Sequence, residues 1–458
     1  MKIDVLVAEI GSTTTVINAF DKINTEMPVF MGQGQAPTSI KEGDVNIGLQ
    51  KAIEDLKEKL KTKELEYRYM LAASSAAGGL KMTVHGLVYD MTVKAAKEAV
   101  LGAGANIHMI TAGKLTDIHI LKLKEIHPNI IMIAGGVDYG EKETVIYNAK
   151  MIASSNLDIQ VIYGGNIAAI DEVKSIFESY GKEKKLHIVP NVYPRIDMLN
   201  IEPTREIIQS IFEAHITEAK GMSKIREMVK GTIMPTPGAV MRAAQLLKEE
   251  IGDLVTIDVG GATTDIHSVT EGTEKINNIL MEPEPIAKRT VEGDLGVFIN
   301  KKNIVEIIKK ERLSKELGIS LEEIENLIIS NVAIPKVDKH IKFIERLTKE
   351  AVLVSIMRHA GEYRTYFGGK SKTLVVGKDL TGVKWIVGTG GALTRLPSRE
   401  SILQEIGLTN KGSKLLPTSE AKILIDNNYI MASIGVLSTM FRKTALNLLL
   451  KSLNYENQ

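Results

Sequence analysis

Two segments of this sequence share an arrangement of residues that could bind phosphate. In residues 7–15 and again in residues 257–265, an acid stands two positions before a glycine, and small or hydroxyl residues follow. Glycine allows a tight turn that brings the backbone close to a ligand, and the exposed amides and hydroxyls can then donate to phosphate oxygens. The candidate phosphate-binding residues are Gly11, Ser12, Thr13, Thr14, Gly260, Gly261, Ala262, Thr263 and Thr264.

The acid before each glycine suits a different task, because a carboxylate repels phosphate. Glu9 and Asp258 could orient a hydrated Mg²⁺ ion that bridges the phosphates. Asp258 is also the best candidate for the catalytic residue that activates water. Either segment alone could equally be an ordinary tight β-hairpin, in which glycine and threonine are common. The repetition of the pattern within one chain favours phosphate binding, and neither segment is a Walker loop, since no Gly-Lys-Ser/Thr follows.

A third glycine-rich segment could receive the nucleoside. A strand is predicted over residues 384–388, and the segment 385–392 that overlaps it contains a threonine and three glycines. A diglycine lets the backbone approach a flat purine or its ribose, although alone it is also typical of a plain strand–helix turn. Residues 234–241 and 429–436 carry the small residues that two closely crossing helices need. The candidate adenosine-binding residues are Gly388, Thr389, Gly390 and Gly391.

In this order, the five segments resemble those of the actin, Hsp70 and sugar-kinase ATPase superfamily. The resemblance implies two duplicated ribonuclease H-like α/β lobes around a nucleotide cleft, with ATP and Mg²⁺ as cofactors. Two departures bear on the reaction rate. The first acid is Glu9, where the superfamily usually has Asp, and Met234 stands where Hsp70-like members carry a water-orienting glutamate. Methionine cannot act as a general base, so the sequence predicts a slow, partner-regulated ATPase.

Other motifs admit both functional and ordinary interpretations. Asp294 stands where relatives carry a glycine-rich helix start near the nucleoside, but an N-cap is its more ordinary role. His119 follows the Asp-x-His pattern of cobalamin-binding domains without their later glycine, so cobalt ligation is not expected. Residues 134–140 and 163–166 are glycine-rich loops after predicted parallel strands. Such loops line a ligand crevice or are simple strand–helix turns.

The length of 458 residues predicts more than one domain. We expect a first ATPase lobe over residues 1–250, a second over 251–428, and a C-terminal connecting helix region over 429–458. Within the first lobe, residues 105–200 alternate apolar strands with helices, which predicts an inserted parallel α/β subdomain. Its predicted strands cover 106–110, 130–134, 159–163 and 186–189, and its predicted helices cover 115–125, 143–152 and 168–180.

The composition excludes several classes of function. The chain has no cysteine, which excludes disulfides, thiolate-held metals and a cysteine nucleophile. The formal net charge is +1, so no overall field attracts nucleic acid or a membrane surface. No signal-peptide pattern and no spanning apolar stretch is found, so we expect a cytoplasmic protein without a membrane partner. The sequence leaves open whether the chain forms a homo-oligomer.

At full length the sequence resembles the GlmL/MutL family, the accessory proteins of adenosylcobalamin-dependent glutamate (methylaspartate) mutase. The resemblance is carried by residues 4–15, 32–38, 134–140 and 289–296, and Glu9 belongs to this family's pattern. It implies a chaperone-like reactivating factor, in which ATP binding changes the lobe arrangement so that the mutase releases a damaged cofactor. The implied partners are subunits of glutamate mutase or a related mutase.

Two rival functions use the same fold. The chain could be a small-molecule kinase, with the acceptor bound near residues 131–166, but the sequence names no clear general base for it. It could also be an actin-like polymerising or scaffold protein. Phosphate transfer to sugars or acids would support the first, and nucleotide-dependent pelleting would support the second.

Overall fold

The computed structural model describes residues 1–11, 14–39, 44–75, 80–218, 226–231, 233–330, 332, 334–366, 372–410 and 412–455. The chain divides into two compact units. The first comprises Met1–Arg242 with Ala432–Ala445, and the second comprises Ala243–Met431 with Leu446–Gln458. The stretch 429–458, expected to be a region of its own, is thus divided between the units. In the second unit, the Tyr455 ring packs edge-on against Trp385, with 5.4 Å between the ring centroids.

The first unit contains two five-stranded sheets. In one, the order is β10-β4-β1-β2-β3, with β1–β2–β3 antiparallel and β4 and β10 parallel to β1 and to each other. The strands of the unit are β1 Lys2–Ile10, β2 Thr14–Asp21, β3 Val29–Pro37, β4 Glu66–Ser74, β5 Lys81–Gly86, β6 Asn106–Ala112, β7 Ile130–Ile133, β8 Gln160–Tyr163, β9 Leu186–Ile188 and β10 Ile233–Pro235.

The second unit repeats this mixed sheet. Its order is β13-β12-β11-β16-β17, again with three antiparallel strands followed by two parallel ones. The repeated topology confirms the duplicated ribonuclease H-like α/β fold of actin-type ATPases. The strands of this unit are β11 Leu254–Val259, β12 Thr264–Val269, β13 Ala287–Glu292, β14 Glu362–Tyr366, β15 Lys372–Val376, β16 Trp385–Thr389 and β17 Lys422–Ile425.

The second sheet of the first unit is wholly parallel, in the order β6-β5-β7-β8-β9. Helices cover both faces of this sheet. Side chains that point to either face are therefore buried, and the central strands are apolar at consecutive positions. Ile130 and Met132 enter one core, whereas Ile131 and Ile133 enter the other. The sheet includes β5, so it begins before residue 105, where the sequence placed its start.

The helices bury apolar faces against these sheets. The first is capped by Asp44, whose side chain accepts from the Asn46 amide, and it lies so close to β3 that a Cβ at Gly34 would be 2.1 Å from the Ala52 carbonyl oxygen. None of the described helices is long and apolar enough to cross a membrane. The helices are α1 Val45–Lys59, α2 Lys94–Gly102, α3 Asp117–Ile126, α4 Glu143–Ser154, α5 Ile170–Ser179, α6 Glu202–Glu218, α7 Thr236–Ile251, α8 Glu274–Asn277, α9 Lys301–Ile308, α10 Lys310–Leu317, α11 Leu321–Ile329, α12 Asp338–His359, α13 Gly390–Arg395, α14 Arg399–Leu408, α15 Met431–Leu437 and α16 Arg442–Ser452.

Candidate functional site

The second predicted phosphate loop is a hairpin turn, and the carbonyls of its first three residues all accept hydrogen bonds from residues 297–300. The Gly260 amide donates to the Thr263 carbonyl over 2.9 Å, which closes the turn between β11 and β12. The carbonyl of Gly260 accepts from the Val297 amide at 3.2 Å, and that of Gly261 accepts from two further amides of the same segment. The Ala262 carbonyl accepts from the Asn300 side chain at 2.8 Å. The segment 297–300 therefore fixes the orientation of every peptide in the turn.

This orientation leaves a row of backbone amides as the free donors of the loop. In a trans peptide the N–H points opposite to the preceding carbonyl, so the amides of Gly261, Ala262 and Thr263 face away from segment 297–300. Within the described ranges, no protein group accepts from these three amides. Successive free amides form a concave anion-binding feature. The loop is only half-buried, so a phosphate group could reach it.

The hydroxyls of the same loop are already used within the protein. Thr263 donates its hydroxyl to the Asp265 carboxylate over 2.9 Å, and the buried Thr264 donates to the Leu295 carbonyl over 2.8 Å. A hydroxyl has one donor hydrogen. The expectation that these hydroxyls also donate to phosphate therefore conflicts with their bonding, and the backbone amides are the better donors.

Glycine at position 296 allows the supporting segment to approach the loop. A Cβ there would lie 2.2 Å from the Ala262 carbonyl carbon and 2.3 Å from its oxygen. The neighbouring Asp294 is not an N-cap, because α9 begins after Asn300, and its carboxylate instead pairs with Arg358 at 3.0 Å. The ordinary interpretation of Asp294 as a cap is therefore wrong.

A buried ion pair stands behind the second loop. Arg289, on β13, is 1% exposed and pairs with the Asp265 carboxylate, on β12, at 2.6 Å. The other oxygen of that carboxylate accepts from Thr263. Thr263 in the loop is thus linked through Asp265 to Arg289, and β13 helps to hold the loop in place.

Asp258 lies against the predicted adenosine segment within the same unit. The register of the parallel strands pairs Asp258 on β11 with Thr389 on β16. Gly390 follows in a left-handed conformation with φ of 84°, and a Cβ there would lie 2.4 Å from Asp258 Oδ1. A Cβ at Gly391, by contrast, would meet nothing within 4 Å, and this residue is exposed. The structure therefore brings Asp258 and the diglycine together beside open space.

Two residues of the adenosine segment serve the fold of the second unit. Gly388 packs against Leu403, whose side chain a Cβ would meet at 2.8 Å. The Thr389 hydroxyl donates to the fully buried Asp426 over 3.0 Å. Burial raises the pKa of Asp426, although hydrogen bonds from Ser452, from the amides of Ile430 and Met431, and from Thr389 act in the opposite direction.

The first predicted loop is a hairpin of the same kind. The Gly11 amide donates to the Thr14 carbonyl over 3.0 Å, and a Cβ at Gly11 would lie 2.7 Å from that carbonyl oxygen. Thr14 begins β2 and is exposed. Ser12 and Thr13 lie outside the described residues. Both predicted loops therefore close with the hydrogen bond of a tight hairpin, as the alternative interpretation held, and the free amides of the second loop could still bind phosphate.

Glu9 makes contacts within the first unit that a metal ligand would not need. Its Oε1 accepts from the Ser433 amide at 2.9 Å, from the Ser433 hydroxyl at 2.5 Å and from Asn18 Nδ2 at 3.2 Å. Ser433 lies in the first turn of α15, where amides lack partners within the helix. Glu9 is 6% exposed, so it binds the start of that helix to the sheet. Its role in orienting Mg²⁺ stays a prediction.

We expect Glu9→Gln to destabilise the first unit by about 1–2 kcal/mol, because a neutral amide oxygen forms weaker hydrogen bonds than a carboxylate. Denaturant unfolding of the full chain measures this change. The control is Glu66→Gln, which removes an exposed ion pair with Lys2 and should leave stability unchanged. Equal stability of the two variants, with loss of Mg²⁺ dependence only in Glu9→Gln, would show that the carboxylate is mainly a metal ligand.

The two predicted connecting segments meet in the first unit at a small-residue contact. A Cβ at Gly435 would lie 1.8 Å from the Ala239 carbonyl oxygen. Met234, in β10, is 5% exposed and supplies no carboxylate. Among the described residues, no group of three or more His, Cys, Asp or Glu side chains could hold a metal ion.

His119 is a helix-capping residue. It stands in the first turn of α3, where its amide donates to the Thr116 hydroxyl and its ring nitrogen accepts from the Thr116 amide at 3.2 Å. This capping box gives His119 a structural role at the start of α3.

Two buried histidines in the second unit predict a loss of stability in mild acid. Burial lowers the pKa of His267 to about 3 and that of His359 well below 6.5. The unfolded chain therefore takes up protons that the folded chain refuses, so the free energy of unfolding falls as the pH drops below about 6.5, by about 1.4 kcal/mol per pH unit for each histidine. We expect His267→Leu to remove one such contribution, because leucine does not titrate. The substitution should break no hydrogen bond, since neither ring nitrogen of His267 has a partner. Urea unfolding from pH 7 to pH 5 measures the slopes, and equal slopes for the two proteins would contradict the prediction.

Comparison with known proteins identifies the family. The sequence matches the family described as MutL protein over residues 5–453. It is 36% identical over 461 residues to Protein MutL of Clostridium tetanomorphum, and the alignment covers 98% of each chain. The chain belongs to the MutL protein family. This confirms the MutL part of the resemblance, and the link to glutamate mutase stays a prediction.

Solved structures similar to this MutL-family chain include two reactivating proteins. The diol dehydratase-reactivating factor in nucleotide-free form is 10% identical, with 96% of this chain and 99% of that chain covered and a TM-score of 0.38. The glycerol dehydratase reactivase is 10% identical, with 95% and 99% covered and a TM-score of 0.35.

Sequence reasoning missed the residues that support the loops of this MutL-family chain. Asp265 and Arg289 lie in quoted motifs, yet no role followed from them. Asp426 and Ser433 carried no signal, since each acts through partners brought close by the fold.

Proposed function

We propose that this chain binds ATP and hydrolyses it slowly, as a reactivating accessory factor for an adenosylcobalamin-dependent mutase such as glutamate mutase. The observation that carries the proposal is the row of free amides at Gly261, Ala262 and Thr263, beside Asp258 and the diglycine within one unit. Membership of the MutL family supports it. The first hairpin, around Gly11 and Thr14, repeats the same turn.

The donors of the second loop suit a phosphate chain better than a neutral ligand. Three amides directed to one side supply partial positive charge without a lysine. Mg²⁺, when bound with ATP, would neutralise part of the phosphate charge. Asp258, near the end of β11, is the carboxylate that we propose for orienting a water of that ion or an attacking water.

We infer slow hydrolysis from the resemblance to the ATPase superfamily. Met234 stands where Hsp70-like members carry a water-orienting glutamate, and this buried side chain has no titratable group. A slow step suits a switch, since each nucleotide state then persists long enough to change the affinity for a partner protein. The protein partner must bind the two states differently for nucleotide to drive release of a damaged cofactor.

Recovery of an inactivated mutase tests this function. Glutamate mutase carrying a damaged cobalamin is incubated with the chain, MgATP and fresh adenosylcobalamin, and mutase activity is followed. We expect recovery with ATP, little recovery without it, and little with Asp258→Ala. Recovery that is equally good in all three would contradict the proposal. Phosphate transfer to an added sugar or acid would instead favour the kinase, and nucleotide-dependent pelleting would favour the scaffold.

A further inference from the structure

Large apolar side chains are exposed along one edge of the parallel sheet in the first unit. Each lies in a segment that follows the carboxyl end of a strand, namely β5, β7, β8 or β9. The carboxyl edge of a doubly wound sheet is where such folds bind their ligands. We call these residues the apolar rim: Val88 (44% exposed), Tyr89 (57%), Tyr139 (83%), Ile167 (48%), Ile196 (68%) and Met198 (48%).

A hydrogen-bond network holds three of the four rim segments together. Asp138 Oδ1 accepts from the Ile167 amide at 3.0 Å and from Asn191 Nδ2 at 2.9 Å, and the Asp138 amide donates to the Pro194 carbonyl over 3.0 Å. The fourth segment adjoins them, because a Cβ at Gly135 would lie 3.5 Å from Leu87. The four segments that carry the rim are therefore held beside one another in fixed positions.

Tyr139 is held in a conformation that displays its ring. Its φ is 62°, in the left-handed region that aromatic residues seldom adopt. The fully buried Asn166 enforces this turn, since its Oδ1 accepts from the Tyr139 amide at 2.9 Å and its Nδ2 donates to the carbonyls of Gly140 and Glu141. Strain of this kind persists only where surrounding contacts impose it. Here it directs an aromatic ring into solvent.

The charges around the apolar rim are mostly acidic. Lys142 pairs with Glu172 at 2.7 Å, and the exposed bases of these segments are Arg195 and, one turn into α5, Lys174. A partner of complementary charge would bring lysine or arginine around an apolar patch. The exposed acids are Asp90, Glu141, Glu143, Asp171 and Asp197.

We propose that the apolar rim is a docking surface for a protein that presents apolar side chains within a basic surface, with Tyr139 as the central contact. The proposal rests on the proposed function in one respect, because the partner named is a subunit of the adenosylcobalamin-dependent mutase. Tyrosine is enriched at the centres of protein interfaces because its ring is large, rigid and able to form a hydrogen bond. The surrounding acids would speed the encounter and make it depend on salt.

Binding of purified mutase subunits to immobilised full-length chain tests the docking surface. Tyr139→Asn removes the ring while keeping a residue that tolerates the left-handed backbone, and Ile196→Ser truncates a second rim residue. The control is Tyr180→Asn. Tyr180 is 43% exposed and follows the C-terminal end of α5, and this end of the helix lies at the opposite edge of the sheet from the rim. We expect Tyr139→Asn to weaken binding at least about tenfold and the control to leave it unchanged, with wild-type binding weakening as salt rises.

Two outcomes would overturn the proposal in different ways. If wild type binds a mutase subunit and both rim variants bind equally well, the docking surface is wrong and the proposed function stands. If wild type binds no mutase subunit with ATP or ADP, the proposed function fails and the named partner fails with it. Circular dichroism and thermal unfolding of each variant separate lost contacts from lost folding.

Discussion

Gly390→Ala is expected to destabilise the second unit by about 2–5 kcal/mol, combining the cost of a left-handed alanine with overpacking. The φ of 84° favours glycine, and the new methyl group would lie 2.4 Å from Asp258 Oδ1 and 2.6 Å from the Val259 amide nitrogen. The change would also push aside the carboxylate that we propose for water and Mg²⁺. ATP binding and hydrolysis should therefore fall together with stability. Denaturant unfolding and ATP titration measure both effects.

Gly391→Ala is the matched control for this prediction. A Cβ at Gly391 meets nothing within 4 Å, and alanine is favoured over glycine in a helix by roughly 0.5–1 kcal/mol. The variant should be as stable as wild type or slightly more stable. If the nucleoside approaches the diglycine, the added methyl group should weaken ATP binding without loss of stability. Normal stability of Gly390→Ala would contradict the close packing described for Asp258.

Arg289→Met should cost about 3–5 kcal/mol, because it leaves the Asp265 carboxylate buried without its charge partner. The side chains of Arg289 and Asp265 are 1% and 7% exposed. Asp265 also accepts from Thr263, so the second loop should lose order and phosphate affinity as well. Unfolding of the full chain measures the stability, and ATP titration measures the affinity.

The control for this change is an arginine in an exposed ion pair of the same unit. Arg312 pairs with Glu316 at 2.7 Å while 65% of its side chain is exposed, so Arg312→Met should cost less than about 1 kcal/mol. The double variant Arg289→Met with Asp265→Leu should recover much of the lost stability, since an apolar pair can replace a buried ion pair. A similar cost for Arg289→Met and Arg312→Met would show that the buried pair is unimportant.

Local sequence pattern marked both turns, although a hairpin was only the alternative interpretation of each. The duplicated topology that the two mixed sheets share came from the resemblance to the ATPase superfamily. The apolar strands of the parallel sheet were also visible. The strand Lys81–Gly86 was missed, although its polar and apolar residues alternate as in a half-buried strand.

The chemistry of individual side chains was harder to predict because it depends on distant partners. Glu9 looked like a metal ligand, yet its oxygen binds Ser433, which is 424 positions away in sequence. Thr263 and Thr264 looked like phosphate donors, yet each donates within the protein. Residue type limits what a side chain can do, but the direction of one donor hydrogen is set by packing. The free amides of Gly261, Ala262 and Thr263 are better candidates for phosphate binding than these hydroxyls, but a pattern of side chains cannot reveal them.

Calorimetric titration of the full chain with MgATP tests the central claim most directly. We expect one molecule of ATP to bind per chain, with Asp258→Ala reducing the dependence on Mg²⁺ and Gly391→Ala weakening binding while thermal unfolding without ligand is unchanged or slightly raised. Binding of that kind would support a nucleotide site built from the loop at residues 260–263 and the diglycine. No detectable binding to the folded wild-type chain, or equal affinity in wild type and Gly391→Ala with unaltered Mg²⁺ dependence in Asp258→Ala, would contradict it.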